Sequence, residues 1–188
     1  MLNKEHLFDK EAFERSAQRL MNMLGIKGSQ GVTLKYITDK VEFIRGCPVR
    51  LIAAPLKDVY SGLCLHGTDD VYYLCYDNDL TGRPRLLVIL HEIGHILRGD
   101  LEANGASPLD PKVVLAAACG FTADDLRKMP GLVCLREDDG PEETEPTVEV
   151  ANDAVTEMEI DYNASQLLQH LVLDDELEFI NSVEYLFG

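Results

Sequence analysis

The sequence predicts an α+β domain in which a small antiparallel sheet packs on one apolar helix, with further helices around the pair. Three observations predict it. Apolar residues recur at helical spacing near both ends of the chain, and three short apolar runs bounded by Pro, Gly and Asp fall between residues 47 and 79. Residues 84–98 form an apolar stretch long enough to cross a protein core but shorter than the roughly 18 to 20 residues that span a bilayer. With 188 residues, 46% apolar and 27% charged, the chain suits one globular domain over 1–188.

The elements follow in order. Within an N-terminal segment of residues 1–30, "FDKEAFERSAQRLMNMLGIKG" reads as a helix with Asp9 as N-cap. Phe13, Ala17, Leu20 and Leu24 form its stripe and Gly25 its stop. A second helix fits "TLKYITDKVEFIRG", with Leu34, Ile37, Val41 and Ile44 on one side and Gly46 after its end. Then the period changes. "CPVRLIAAP", "YSGLCLHG" and "DVYYLCYDN" read as strands, the last two joined by the turn "HGTDD". Hairpin neighbours imply an antiparallel sheet. "PRLLVILHEIGHILR", with Pro84 in its first turn and Gly99 beyond its end, is the central, largely buried helix. "DPKVVLAAACG" and "TADDLRKM" suggest two short helices, and 137–147 an acidic, mobile loop. "VEVANDAVTEMEIDYNASQLLQHLVL" resumes helical spacing through Ile160, Ala164, Leu167 and Leu171, and "DDELEFINSVEYLF" closes the chain as an amphipathic helix.

Charge and cysteine content narrow the function. The net charge is −16. After Arg136 there is no Lys or Arg but 16 acidic residues, leaving 17 acids against 17 bases before it. That sign disfavours direct binding to nucleic-acid phosphates; an acidic C-terminal face could attract a basic partner. The five cysteines are scattered without a C-x-x-C pair, which argues for thiols in a reducing compartment. "MLNKEHLFDK" has no apolar signal-peptide core, and no run suits a membrane span, so a cytoplasmic protein is expected.

The chemistry concentrates in "LVILHEIGHILRGD". Histidines at i and i+4 share a helix face, so His91 and His95 can bind one ion while Glu92 lands beside it. Two neutral imidazoles holding Zn²⁺, a coordinated water and a carboxylate to take its proton make a hydrolytic set. Two structural histidines and a carboxylate left without partners in so apolar a helix would cost several kcal/mol, which a metal relieves. The third ligand should come from another element, and "TEMEID" offers it. Glu157 is placed to ligate, and Asp161, one turn on, to accept a hydrogen bond from a ligand imidazole. Asp153, one turn earlier on that face, is the competing ligand, whereas Glu159 points elsewhere.

"HEIGH" in an apolar helix, followed by a helix with Glu-x-x-x-Asp ahead of "AxxLL", resembles the ImmA/IrrE family of zinc metallopeptidases. The upstream "GCPVRLIAAP", "SGLCL" and "YDNDLTGRPRLLVILHEIGH" are also similar, and the resemblance covers roughly residues 34–170. It implies a zincin-like fold with a thermolysin-like active-site helix on a small sheet. It also implies His91, His95 and Glu157 as Zn²⁺ ligands, Glu92 as general base and Asp161 as the polar residue following the ligand. The implied activity is cytosolic cleavage of helix-turn-helix repressors, releasing phage, mobile-element or stress genes. This chain departs from the family pattern at Ile160, where Ala is usual, at Asn163, where Phe is usual, and in its longer path from His95 to Glu157.

Substrate is expected near Val71 to Tyr76, an edge strand that could hold an extended peptide. Tyr72, Tyr73 and Tyr76 could each donate to a developing oxyanion, although packing in the sheet is the simpler role. His66 and His170 are read as structural and His6 as disordered. A rival reading keeps the zinc but makes it structural, with the acidic C-terminal face binding a basic regulator without cutting it.

Overall fold

A computed structural model describes residues 9–56, 61–103, 133–134 and 148–172. The two short helices expected after residue 109, the acidic loop, the C-terminal helix and His6 lie outside the described residues. The chain runs α1 (Lys10–Leu24), α2 (Leu34–Arg45), β1 (Val49–Ala54), β2 (Gly62–His66), β3 (Tyr72–Asp77), α3 (Gly82–Arg98), α4 (Asp100–Ala103), β4 (Val133–Cys134) and α5 (Val148–His170). The α+β class is as the sequence implies.

Local chemistry sets the helix ends. The Asp9 side chain accepts from the Ala12 amide at 3.0 Å and Thr33 Oγ1 from the Tyr36 amide at 3.1 Å, caps worth about 1 kcal/mol each. Gly25, Gly46 and Gly99 stop α1, α2 and α3 with φ of 75°, 77° and 78°, left-handed values that glycine adopts without strain.

The sheet departs from expectation. It is mixed, ordered β1-β3-β2-β4. β3 pairs antiparallel with β2 through the anticipated hairpin but parallel with β1, with Leu51 opposite Leu74. The reason lies in the side chains. Tyr72, Leu74 and Tyr76 are buried on one face of β3, and Tyr73 and Cys75 on the other, so this strand belongs in the interior. β1 keeps Arg50 exposed and is suited to an edge. Val71 to Tyr76 is therefore not the edge strand the sequence suggested: β3 has neighbours on both sides and no free backbone to add a peptide.

The main core lies between the sheet and the helices. α3 packs against β2, β3, α2 and α5, and it is buried nearly all round from Leu86 to Ile96. α5 packs on α3 and α1. Where α3 meets α5, a Cβ on Gly94 would come within 2.8 Å of Ile160 Cγ2, so the bare glycine lets the backbones approach closely. The C-terminal end of α5 is tied back by reciprocal bonds: the Val32 amide donates to His170 carbonyl oxygen at 2.9 Å, and the Val172 amide to Val32 at 3.0 Å.

Candidate metal centre

The helical spacings deliver three donors to one point. Nε2 of His91 and Nε2 of His95 lie 3.1 Å apart. Glu157 Oε2, from α5, stands 3.2 Å from the first and 3.7 Å from the second. Donors about 2.0–2.1 Å from a tetrahedral Zn²⁺ are about 3.3 Å from one another, so this triangle has the size that ion requires.

The other face of each imidazole explains why the Nε2 atoms point inward. His91 Nδ1 lies 2.8 Å from Asp161 Oδ1, and His95 Nδ1 lies 2.9 Å from Asp100 Oδ2. Each carboxylate accepts the Nδ1–H and leaves the Nε2 lone pair facing the triangle. Two nitrogen lone pairs and a carboxylate oxygen within 3.7 Å of one another repel unless positive charge sits among them. The residues therefore fit a divalent cation. Asp161 stands where the sequence puts it. Asp100 was not anticipated; its signal is the "HILRGD" ending, which returns an acid toward the motif helix just past Gly99.

Electrostatics express the same demand for a cation. Burial alone would lower the His95 imidazole, but the bonds to Asp100 and Glu157 and the nearby Glu92 and Glu157 charges outweigh it, to about 9. His91 also shifts upward, burial being overcome by Asp161 and Glu157. Glu157 is held at about 2, because its two imidazoles override the effect of burial. The triangle holds protons tightly when nothing else supplies charge.

Glu92 is fully buried, and neither of its oxygens accepts an N–H or O–H bond. Burial pushes it up to about 7, against the pull of His95, His91 and a weak bond from the Cys64 thiol. Gly62 on β2 makes room for it: a Cβ there would lie 2.8 Å from Glu92 Oε1 and 2.5 Å from Val88 Cγ1. In the sequence Gly62 is just one residue of the strand run "YSGLCLHG", with nothing to mark this role. The imidazoles are almost sealed, at 6% and 2% exposure, whereas the Glu157 and Asp161 side chains are 41% and 43% exposed, although the Glu157 Oε2 that completes the triangle is itself buried.

The remaining candidates fall elsewhere. The Tyr72 hydroxyl is engaged by Arg45 Nη2 at 2.9 Å and by Glu102, and that of Tyr73 by Asp69 at 2.7 Å. The Tyr76 hydroxyl is buried with no hydrogen-bond partner. Tyr76 sits opposite Gly62 in the β2–β3 ladder, on the face that meets α3. His170 Nδ1 donates to the Gln30 carbonyl at 3.2 Å, a structural role. The Asp153 side chain lies outside the described residues. Glu159 turns away from the triangle, accepting from Ser16 and pairing with Arg98.

No helix among the described residues is long and apolar enough to cross a membrane. No family model, no curated protein and no solved structure matches this chain.

Proposed function

We propose that the chain is a zinc-dependent endopeptidase of the zincin-like, ImmA/IrrE type, acting in the cytoplasm on a helix-turn-helix repressor. The observation that carries the reading is the convergence of His91 Nε2, His95 Nε2 and Glu157 Oε2 beside a buried Glu92 carboxyl that accepts no N–H or O–H bond. The substrate class rests on the resemblance of the motif helix and of the "EMEID" segment to that family.

His91, His95 and Glu157 would hold the ion, and Asp161 and Asp100 would fix its imidazoles. Bound Zn²⁺ would supply Lewis acidity and bring the pKa of a coordinated water to about 7. Glu92, whose carboxyl burial pushes upward, would take the proton of the attacking water and return it to the leaving amine. Burial serves this role, since a general base near the working pH both accepts and releases a proton readily. Gly62 keeps the space in which that carboxyl sits.

The test is elemental analysis of protein purified without added metal, beside a His95→Ala variant, followed by cleavage of a candidate repressor by wild type and Glu92→Gln. One equivalent of zinc lost in the first variant, with cleavage lost but zinc kept in the second, supports the peptidase. Zinc and repressor binding without cleavage by the wild type would replace it with the interaction protein.

A further inference from the structure

A second group of ligating side chains lies away from α3. Cys47 follows the glycine that ends α2, His66 ends β2, and Asp70 belongs to the β2–β3 turn. Two stretches of chain, the exit from α2 and the β2–β3 hairpin, thus meet at one spot. Cys47 Sγ is 3.3 Å from Asp70 Oδ1, and His66 Nε2 is 3.1 Å from the same oxygen. All three ligand atoms lie within 4.8 Å of one another.

We propose that Cys47, His66 and Asp70 form a second cation site, for a divalent transition ion of intermediate softness such as Zn²⁺, Co²⁺ or Ni²⁺. A thiolate, an imidazole and a carboxylate together select such an ion over Mg²⁺ or Ca²⁺, which take oxygen donors. Separations of 3.1 and 3.3 Å between donors are close to those of ligands sharing one tetrahedral ion.

The neighbours hold the donors in place. The His66 ring stacks on Tyr72, centroids 4.5 Å apart and planes at 20°. Tyr72 is pinned in turn by Arg45 and Glu102. The turn is closed by the Gly67 amide donating to Val71 at 2.8 Å and the Asp70 amide to Gly67 at 3.0 Å. Arg45, next but one to Cys47, does not repel a cation there, because its guanidinium is matched by Glu102. The site is partly open: Cys47 and His66 are half-buried and Asp70 is exposed, so an ion can enter from solvent.

In the metal-free protein the thiol proton lies between Sγ and the Asp70 carboxylate. On binding, a metal–sulfur bond replaces the S–H bond and the proton leaves to water, so uptake weakens as pH falls. The site is independent of the peptidase reading, sharing no ligand with the His91 triangle.

The experiment is titration of the chelator-stripped, reduced full chain with Co²⁺, read by bound equivalents and by thiolate-to-cobalt charge-transfer absorption in the near ultraviolet. The wild type should bind two equivalents, one of them with the band. His95→Ala should bind one and keep the band; Cys47→Ser should bind one and lose it. His66→Gln should weaken the banded equivalent at least tenfold, far-ultraviolet circular dichroism confirming the fold of each variant. A wild type that binds a single, bandless equivalent, or a band that survives Cys47→Ser, overturns the proposal.

Discussion

His95 Nδ1 lies 2.9 Å from Oδ2 of Asp100, one residue beyond the glycine that stops the motif helix. This bond fixes the His95 ring with its Nε2 toward the triangle, and Asp161 does the same for His91 from the other helix. Removing such a partner typically costs 10- to 100-fold in metal affinity. Asp100→Ala and Asp161→Ala should each weaken Zn²⁺ by about that factor, measured by competition with a chromophoric chelator. Unchanged affinity in both would show that the carboxylates do not orient the imidazoles.

Gly62 makes a prediction of a different kind, because it touches the proposed base, Glu92, and not the proposed metal ligands. Gly62→Ala would drive a methyl against Glu92 Oε1 and Val88 Cγ1. Overpacking of this sort costs about 1–3 kcal/mol. Zinc content should stay at one equivalent in the triangle while cleavage falls at least tenfold. Loss of zinc in step with activity would mean that the strand supports the whole centre and not the Glu92 carboxyl alone.

Gly94 tests the helix crossing. An added methyl would meet Ile160 Cγ2 at 2.8 Å and force α3 and α5 apart, carrying Glu157 away from the two imidazoles. Gly94→Ala should destabilise by about 1–3 kcal/mol and lower metal affinity. Ile160→Ala removes the opposing methyl, so the double variant should be less impaired than the sum of the singles. Thermal melts with and without Zn²⁺ measure both effects, and simple additivity would refute the contact.

How much of this was legible in the sequence follows from range. His91, Glu92, His95, Glu157 and Asp161 could be read because each relationship is an i, i+1 or i, i+4 spacing on one helix, which periodicity fixes. The pairing of the two helices was inferred from chemistry, since a buried histidine pair needs a third donor. Strand order was not legible: hairpin logic gives β2 with β3 but says nothing of β1, and only the two-sided burial of β3 places it inside. Gly62 and Asp100 act through contacts made by tertiary packing or by a reversal past a helix cap. Ile160 and Asn163 have local roles that sequence spacing does not reveal: Ile160 fills the space over Gly94, and Asn163 Nδ2 donates to Ser16 Oγ at 3.1 Å.

Glu92→Gln separates chemistry from stability. In metal-free protein the wild-type carboxyl, raised to about 7 from its ordinary 4.5, is ionised in a site that resists charge. A carboxyl raised on folding costs nothing below pH 4.5 and exacts its full cost above pH 7. The variant should thus be more stable than wild type by a few kcal/mol at pH 8, on the order of 1–3, and little different at pH 4. Urea melts of chelator-treated protein at the two pH values read this directly. An equal effect at both would mean that Glu92 does not titrate in this range.

The proposed ligands gain stability from protons in the opposite pH sense to metal binding. Without an ion, His95 is raised to about 9, so its contribution is complete below its ordinary 6.5 and disappears as pH climbs through 9. Glu157 is lowered to about 2, so its contribution is complete above 4.5 and disappears as pH falls toward 2. Both are present together between about pH 4.5 and 6.5; the cost of ionising Glu92 accumulates from pH 4.5 to about 7, across that same window, so the chelator-treated protein should be most stable toward its acid end. Zn²⁺ binds the same nitrogens only after their protons leave, so the stabilisation it confers must grow with pH. The difference in Tm between zinc-loaded and metal-free protein should be small at pH 5 and rise steadily to pH 9. A difference that is flat or shrinks over that interval would mean the ion is not held by the imidazoles of His91 and His95.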